Sequence, residues 1–327
     1  MIAARVIVAS ALVAAAGCTT FEDPQLVIDL RVLAMSSSPP EQMIDIDVDN
    51  VPTPSAVLAQ LVPTTVCALV ADPDHQRQLR WAMTVCLTDE DNRCDPERPQ
   101  FEIGSGVVED PETASTLQIP CANIIPDQRL LGVLFDALEA DQVNGLGGID
   151  YTVMLQIGGI AEPADGDAFA AKHVRVSPRI PANREANRNP VINNVDGSIN
   201  TVTLEVPRVR CTDLGSVPIV DQDDLVTLYP LEPDDIREQY VVPTLDGQTA
   251  MLTETITYWW YAARGSFTDE TTGGPHDLLG NQALLGTQWR APPRDRLNDS
   301  TYVPIWIIQR DERLGVSWYQ TCMLVQR

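Results

Sequence analysis

Basic residues are scarce in this sequence. Its 327 residues include 22 Lys+Arg against 46 Asp+Glu, which gives a formal net charge of -24, and Lys172 is the only lysine. Binding to a nucleic-acid backbone requires a basic surface, so the composition excludes nucleic acid as a partner. It also disfavours a peripheral protein held to anionic lipid by basic residues.

Long hydrophobic runs are missing beyond the N-terminus. No later stretch approaches the roughly 18 consecutive apolar residues of a membrane-spanning helix, so we expect the rest of the chain to lie outside a bilayer. Hydrophobic residues make up 44% and charged residues 21% of the chain, which is ordinary for a protein with a buried core. The length predicts roughly two domains.

The chain begins with a short apolar segment, MIAARVIVASALVAAAGC. Arg5 is its only charge, and the small and apolar residues that follow are too few to span a hydrocarbon core of about 30 Å. This pattern predicts the helix of a secretory signal peptide. The segment ends in AAGC at residues 15–18, which resembles the lipobox of bacterial lipoproteins, although Ala15 stands where that family prefers Leu.

The lipobox resemblance implies a modification and a location. It implies that residues 1–17 are removed, that Cys18 receives a diacylglyceryl group, and that residues 18–27 form a lipidated tether. Several acyl chains together hold a protein on a membrane almost permanently. Thr19 stands where an Asp would favour the inner membrane, so we expect an outer-membrane lipoprotein, periplasmic or surface-facing. An ordinary signal peptide and an uncleaved anchor are the alternatives.

Six cysteines remain after Cys18, an even number that favours disulfides in an exported protein. Pairing within each half of the chain joins Cys211 to Cys322. In the first half we favour Cys86–Cys94 and Cys67–Cys121, and two other pairings stay open. No His stands near a Cys at ligand spacing, and seven residues separate Cys86 from Cys94, so we predict no zinc site. Acidic loops at residues 89–95 and 221–224 could hold Ca²⁺, but we favour solvated loops and predict no metal.

Period-two alternation and turn residues predict a mainly β chain. We expect strands at residues 43–49, 66–72, 79–86, 151–157, 171–177, 202–209, 225–230, 254–262, 302–310 and 317–325. One helix is expected near residues 126–141, with Pro126 in its first turn. The sequence therefore predicts two antiparallel immunoglobulin-like β-sandwich domains, the first containing the helix, at residues 28–178 and 196–327. A Pro- and Asn-rich linker at residues 179–195 separates them.

Several motifs resemble uncharacterised envelope lipoproteins of myxobacteria and related predatory or soil bacteria. They are LRVLAMSSSPP at 30–40, TTVCALVADPD at 64–74, LRWAMTVC at 79–86, RNPVI at 188–192, TQWRAPP at 287–293 and IIQRDERLGVSW at 307–318. The resemblance covers most of the chain after Cys18. It implies an envelope location and tandem β domains, and it implies no activity.

Catalytic motifs are missing. The three histidines, His75, His173 and His276, share no motif, and neither a nucleophile elbow nor a nucleotide-binding loop occurs. Two carboxylates would suffice for glycoside hydrolysis, but acidic residues are too abundant for any pair to be informative. We predict no catalytic residues, no cofactor and no enzymatic activity. An envelope hydrolase with an unrecognised carboxylate site is the second alternative.

Consecutive aromatic residues mark one strand of the second half. Trp259, Trp260 and Tyr261 fall within TYWWY, so one face of the strand must be core. The other face could hold a glycan or peptide or contact the other domain, and we favour core and interface packing. We expect a membrane-anchored envelope lipoprotein with a non-catalytic structural or recognition role. A ligand-binding or adhesion module that uses this aromatic surface is the first alternative. The partner, an envelope protein or a glycan, stays open.

Overall fold

The computed structural model describes most of the chain. The described residues are 23–46, 53–72, 77–108, 117–118, 121–143, 145–212, 217–244, 247–276, 279–281, 283–293 and 301–326. The predicted signal helix, the lipidation of Cys18 and His75 lie outside these residues.

Two sheets form the first half. Its strands are β1 (Arg31–Ser38), β2 (Glu41–Ile44), β3 (Thr64–Ala71), β4 (Leu79–Cys86), β5 (Phe101–Val108), β6 (Leu117–Gln118), β7 (Ala122–Ile124), β8 (Ile149–Gly159) and β9 (Ala168–Pro178). One sheet has the order β1-β3-β6 with β7 also on β3, and the other has the order β2-β9-β8-β4-β5. All pairs are antiparallel except β2 with β9, so the first half is an antiparallel sandwich with one short parallel pair.

Two five-stranded sheets and a separate hairpin form the second half. The strands are β10 (Asn194–Ile199), β11 (Val202–Val206), β12 (Ile219–Asp221), β13 (Leu225–Leu231), β14 (Gln239–Pro243), β15 (Thr249–Thr253), β16 (Ile256–Ala262), β17 (Ser266–Phe267), β18 (Thr271–Gly273), β19 (Thr287–Arg290), β20 (Thr301–Asp311) and β21 (Val316–Gln326). The sheets have the orders β11-β10-β13-β19-β17 and β12-β21-β20-β16-β18, and β14 pairs with β15 alone. Short β12 lies parallel to β21.

Helices are few among the described residues. The short α1 spans Pro54–Leu58 and the longer α2 spans Gln128–Ala140. The Asp127 carboxylate caps α2 by accepting the backbone N–H groups of Arg129 and Leu130, as acidic N-caps do. The helix therefore begins later than predicted, because Pro126 precedes the cap. No helix in the described part of the chain is long and apolar enough to cross a membrane.

Each half has a core between its two sheets. Alternate residues of β4, among them Trp81 and Met83, point into the first core with Tyr151 of β8. The second core contains Trp260, Trp289 and other fully buried side chains. Because each sheet buries one face against the other, both halves are sandwiches, as the period-two alternation predicts.

A third apolar cluster joins the two halves. Val27, Leu33, Ala34, Leu69 and Ala71 come from the first half, and Trp306 and Ile308 come from β20. Apart from Val27, which precedes β1, these side chains lie on sheet faces that point away from the two sandwich cores. Burial of apolar surface here stabilises the contact between the halves.

The three predicted disulfides are confirmed. Cys67 is bonded to Cys121, Cys86 to Cys94 and Cys211 to Cys322. They close loops of very different length, with sequence separations of 54, 8 and 111 residues. Such bonds persist in oxidising compartments, so the chain is suited to a location outside the cytoplasm.

Candidate functional site

The three aromatic residues predicted to form a surface have different environments. Trp260 is fully buried, and its Nε1 donates to Thr272 Oγ1 at 2.9 Å. Tyr261 is half-buried against the cluster that joins the halves. Trp259 is 37% exposed. The prediction that Trp260 contributes to a ligand surface is wrong, because alternation along β16 places its ring in the sandwich core.

Trp259 is therefore the exposed aromatic residue of this strand. The guanidinium of Arg310 lies over its ring, 5.5 Å from the ring centroid. This cation–π contact covers part of the indole face. The surface available to a ligand is consequently smaller than the sequence indicates.

The two histidines in the described part of the chain, His173 and His276, lie in different halves and form no catalytic group. His173 is exposed on β9, where its Nδ1 is 3.2 Å from Thr152 Oγ1. His276 is exposed in the loop after β18, in the other half. Within the described ranges, no cluster of three or more His, Cys, Asp and Glu side chains could hold a metal ion.

Several buried charged side chains lie together where the two halves meet. We call this group the Glu41 cluster, and it comprises Glu41, Ser177, Arg184, Asn187, Glu254, Asp311 and Arg313. The Glu41 carboxylate is only 2% exposed. An isolated buried carboxylate would be strongly destabilising. The stability of the Glu41 cluster therefore depends on the groups that hydrogen-bond to this carboxylate.

Four donors surround the Glu41 carboxylate. Its Oε1 accepts hydrogen bonds from Ser177 Oγ at 2.5 Å and Arg184 Nη2 at 2.9 Å. Its Oε2 accepts from the backbone N–H of Asn187 and from Arg313 Nη2, both at 2.9 Å. Since Arg313 belongs to the second half, this single carboxylate ties the first half and the connecting segment to the second half.

The Arg313 guanidinium also contacts acidic and aromatic side chains of the second half. Its Nη1 lies 3.1 Å from Glu254 Oε1 and 3.6 Å from Glu238 Oε2. Its guanidinium stacks over the Tyr240 ring at 4.5 Å from the centroid. A planar guanidinium can make these hydrogen bonds and the stacking contact at the same time, which a lysine could not.

The hairpin loop between β20 and β21 holds Arg313 in place. Asp311 Oδ1 accepts the backbone N–H groups of Arg313 and Gly315, each at 2.7 Å. Leu314 has a positive φ of 80°, which is uncommon for a residue other than glycine. The buried ammonium of Lys172 donates to the Leu314 carbonyl. The first half thus also fixes the conformation of this loop.

The connecting segment belongs to the same network. Asn187 Nδ2 donates to Arg313 O at 2.9 Å. Asn189 Nδ2 donates to Ser37 O at 2.8 Å, and Asn189 Oδ1 accepts the backbone N–H of Val316 at 2.9 Å. These residues hydrogen-bond to both halves, so this part of the predicted linker does not behave as a free spacer.

Burial and neighbouring charges shift the pKa values of the cluster in opposite directions. Burial opposes ionisation of Glu41, but the hydrogen bonds it accepts and the charges of Arg184 and Arg313 outweigh burial and lower its pKa. Burial raises the pKa of Glu254 to about 7; Asp311 adds to this and Arg313 opposes it. Burial lowers the pKa of Lys172 to about 8, against the attraction of Asp311. The Glu41 carboxylate is therefore firmly ionised, whereas Glu254 of the cluster and Lys172, a neighbour outside it, have pKa values shifted toward neutrality.

An open cleft of about 390 Å³ lies beside the cluster. Arg184, Arg313 and Tyr240 form part of its lining, and Leu146 and Val242 form apolar parts. The charged groups that face it already have partners within the protein. The arrangement holds two halves together and presents no unpartnered nucleophile or base to the cleft among the described residues.

Sequence reasoning missed the Glu41 cluster. Four of its seven members adjoin or lie within motifs quoted above: Glu41 follows residues 30–40, Asn187 precedes residues 188–192, and Asp311 and Arg313 lie within residues 307–318. Residues that carry the resemblance thus surround one site in the fold. The sequence marked these three segments through the resemblance. It did not indicate that the segments contact one another in the fold.

Comparisons with known proteins give little further information. No family model and no curated protein matches the chain. Among solved structures, the chain is similar to red sea bream transglutaminase, with a TM-score of 0.24 and 9% sequence identity over 92% of this chain. The chain spans only 32% of that structure. A similarity of this size does not extend to activity.

Proposed function

We propose that this protein is an exported lipoprotein, acylated on Cys18 and held at the outer membrane, with a non-catalytic structural or recognition role. The observation that carries the proposal is the pairing of the other six cysteines with one another, which leaves Cys18 over. A leftover cysteine at the end of an apolar, AAGC-terminated segment matches a lipid acceptor. The disulfides support export to an oxidising compartment.

The contacts between the two halves support the non-catalytic role. The third apolar cluster and the Glu41 cluster both join the halves, one through burial and the other through ion pairs and hydrogen bonds. Catalytic lids and closing domains need contacts that break readily. A body fixed in this way is suited to presenting a constant surface to a partner in the envelope.

Trp259 favours a second candidate, recognition of a glycan or peptide. Its ring is 37% exposed and carries Arg310 on it. Exposed aromatic rings are common anchors for such ligands because they bury apolar area and accept stacking. If the protein has this recognition role, we expect Trp259→Ala to abolish binding to isolated envelope glycans while the anchored protein stays folded.

The anchoring proposal is tested by replacing the acyl acceptor. Cys18→Ala should move the protein from the membrane fraction to the soluble fraction and remove incorporation of a labelled fatty acid. Thr20→Ala, two residues beyond the thiol, is the matched control and should stay in the membrane fraction. An N-terminus at Met1, or a Cys18 without acyl mass in the purified protein, contradicts the proposal.

A further inference from the structure

We infer that the free edge of strand β15 (Thr249–Thr253) pairs with the same strand of a second copy of this chain. Two hairpins then form one four-stranded antiparallel sheet around a two-fold axis at Met251. This inference does not depend on the proposed anchoring at Cys18. It begins from the hairpin of β14 and β15, which joins neither of the larger sheets of the second half.

Two backbone hydrogen bonds determine which groups of β15 face β14. The Thr244 N–H donates to Gln248 O, and the Glu254 N–H donates to Glu238 O, both at 2.9 Å. These bonds lie at the two ends of the hairpin ladder. Hydrogen-bonded and non-hydrogen-bonded residue pairs alternate along an antiparallel ladder. Because both bonds belong to the same alternating set, they fix the order of the pairs between them.

The backbone groups of Thr249, Met251 and Thr253 therefore point away from β14. These residues occupy the non-hydrogen-bonded positions of the hairpin ladder. No described residue hydrogen-bonds to their backbone N–H or C=O groups. All three side chains are exposed, and that of Met251 is 64% exposed. The edge thus offers a row of donors and acceptors to an added strand, the groups that give affinity in strand addition.

Strand β15 lacks the features that protect the other long edge strands. Charged side chains and proline on an edge strand disfavour pairing with another chain. Among the described edge strands of at least 5 residues, β1 contains Arg31, β5 contains Glu102, β11 contains Glu205, and β14 contains Pro243 at an outward position. β15 contains neither a charged residue nor a proline. An unprotected edge in so acidic a chain indicates a strand that has a partner.

The sequence of β15, TAMLT, is suited to pairing with itself. At a two-fold axis the same patch of each copy must be complementary to itself. In the antiparallel register centred on Met251, the two methionines lie opposite each other. Thr249 then lies opposite Thr253 of the second copy, and Ala250 lies opposite Leu252 of the second copy. This register pairs like with like, matches a small apolar side chain to a large one, and uses every outward backbone group of the strand.

Charge favours a second copy of the chain at this edge. Each copy has a formal net charge of -24, so two copies repel each other wherever acidic groups face one another. Residues 239–244 and 247–253 contain no charged side chain. Asp246, between them, lies outside the described residues, and the register places none of the pairing positions of β15 opposite it. The neutral strand therefore allows an approach that the acidic surface opposes.

The opposite face of the hairpin is attached to the rest of the protein. The Tyr240 ring stacks against the Arg313 guanidinium, 4.5 Å from the ring centroid. The Tyr240 hydroxyl donates to Glu312 Oε1 at 3.3 Å. Val242 lines the cleft beside the Glu41 cluster. These contacts hold the hairpin before a partner binds, which lowers the entropy cost of adding a strand to its free edge.

Cysteine cross-linking of the purified full chain measures both the contact and its register. Met251→Cys should form an intermolecular disulfide on mild oxidation, seen as a dimer on a non-reducing gel, because Cα atoms of a hydrogen-bonded pair lie about 5.5 Å apart. Thr249→Cys is the matched control. It is exposed on the same edge, but its symmetry mate lies roughly 14 Å away along the strand. We expect at least about fivefold more dimer for Met251→Cys, because only its separation suits a disulfide.

A charge at the axis distinguishes strand pairing from chance collision. A mixture of Thr249→Cys and Thr253→Cys proteins should form a disulfide dimer, since these positions lie opposite each other in the register. Adding Met251→Lys to both proteins places two ammonium groups opposite each other and should lower this yield about fivefold or more. Val202→Lys, at a 70% exposed position of edge strand β11, should leave the yield unchanged. Added salt should raise the yield, because salt screens the repulsion between two acidic bodies.

Equal dimer yields for Met251→Cys and Thr249→Cys would reflect collision and overturn the inference. A purified Met251→Cys protein that stays monomeric would also overturn it. If that variant cross-links to a different protein in intact cells, the occupant of the edge is a strand of that protein. The acyl mass of Cys18 is measured separately and changes none of these results, so the pairing and the proposed anchoring can fail independently.

Discussion

The Glu41 carboxylate and the Arg313 guanidinium are 272 residues apart in the sequence and 2.9 Å apart in the fold. Their side chains are 2% and 10% exposed. Because water cannot stabilise ions at this depth, each charge depends on the other and on the surrounding hydrogen bonds. The pair therefore couples the folding of the two halves, and its loss should lower the stability of both halves.

Arg313→Met tests this coupling. The substitution keeps much of the side-chain volume but leaves Glu41 and Glu254 without their shared partner. Removing one member of a buried ion pair typically costs about 3–5 kcal/mol. We expect a loss of this size in the free energy of unfolding, measured by guanidinium titration.

Arg188→Met is the matched control, because Arg188 pairs with Glu238 and Asp235 while its side chain is 66% exposed. Exposed pairs contribute about 0–1 kcal/mol. Equal losses for the two variants would show that burial of Arg313 does not determine its contribution.

Local patterns predicted much of the fold. Alternation predicted the strands at 151–157 and 302–310, which lie within Ile149–Gly159 and Thr301–Asp311. The apolar periodicity around Leu130 and Leu134 predicted α2, and both side chains are buried. These signals succeed because strand and helix faces repeat over short distances along the chain.

Other elements have no such local signal. The strand Phe101–Val108 contains Gly104 and Gly106, which disfavour a strand in isolation. A Cβ at Gly106 would lie 3.3 Å from Trp81 Nε1, so glycine is explained by the approach of a neighbouring strand. The Glu41 cluster was missed for the same reason, since only the fold brings Glu41 to Arg313.

Glu254 should make stability depend on pH. Its pKa is raised from 4.5 to about 7 in the folded protein, so the native state holds a proton that the unfolded chain releases. This contribution is fully present below pH 4.5 and is lost as the pH rises through about 7. Glu41 contributes to the pH dependence of stability in a separate, more acidic pH range, because its pKa is lowered.

Glu254→Gln should remove this dependence. Relative to the variant, the native protein should lose up to about 1.4 kcal/mol of unfolding free energy per pH unit between the two pKa values. Denaturant titrations at a series of pH values measure the slope. Glu205→Gln, at an exposed position, should follow the native profile, and parallel profiles for all three proteins would disprove the assignment.

The disulfides should differ in their effect on stability. In the chain-entropy model, loss of Cys211–Cys322 costs about 4.8 kcal/mol and loss of Cys86–Cys94 costs about 2.5 kcal/mol. The reason is the difference in loop length, 111 against 8 residues. Double Cys→Ala variants, compared by thermal and guanidinium unfolding, should show this order; the reverse order would mean that packing around the sulfur atoms outweighs loop entropy.

Truncation of the adjacent tryptophans on β16 should destabilise the protein to different extents. Trp260→Ala removes a fully buried ring and its hydrogen bond to Thr272, a change that typically costs about 3–5 kcal/mol. Trp259→Ala removes a ring that is 37% exposed and should cost less than about 2 kcal/mol. Unfolding titrations of both variants measure the difference. Similar losses would contradict the assignment of alternate faces of β16 to core and surface, on which the recognition role of Trp259 depends.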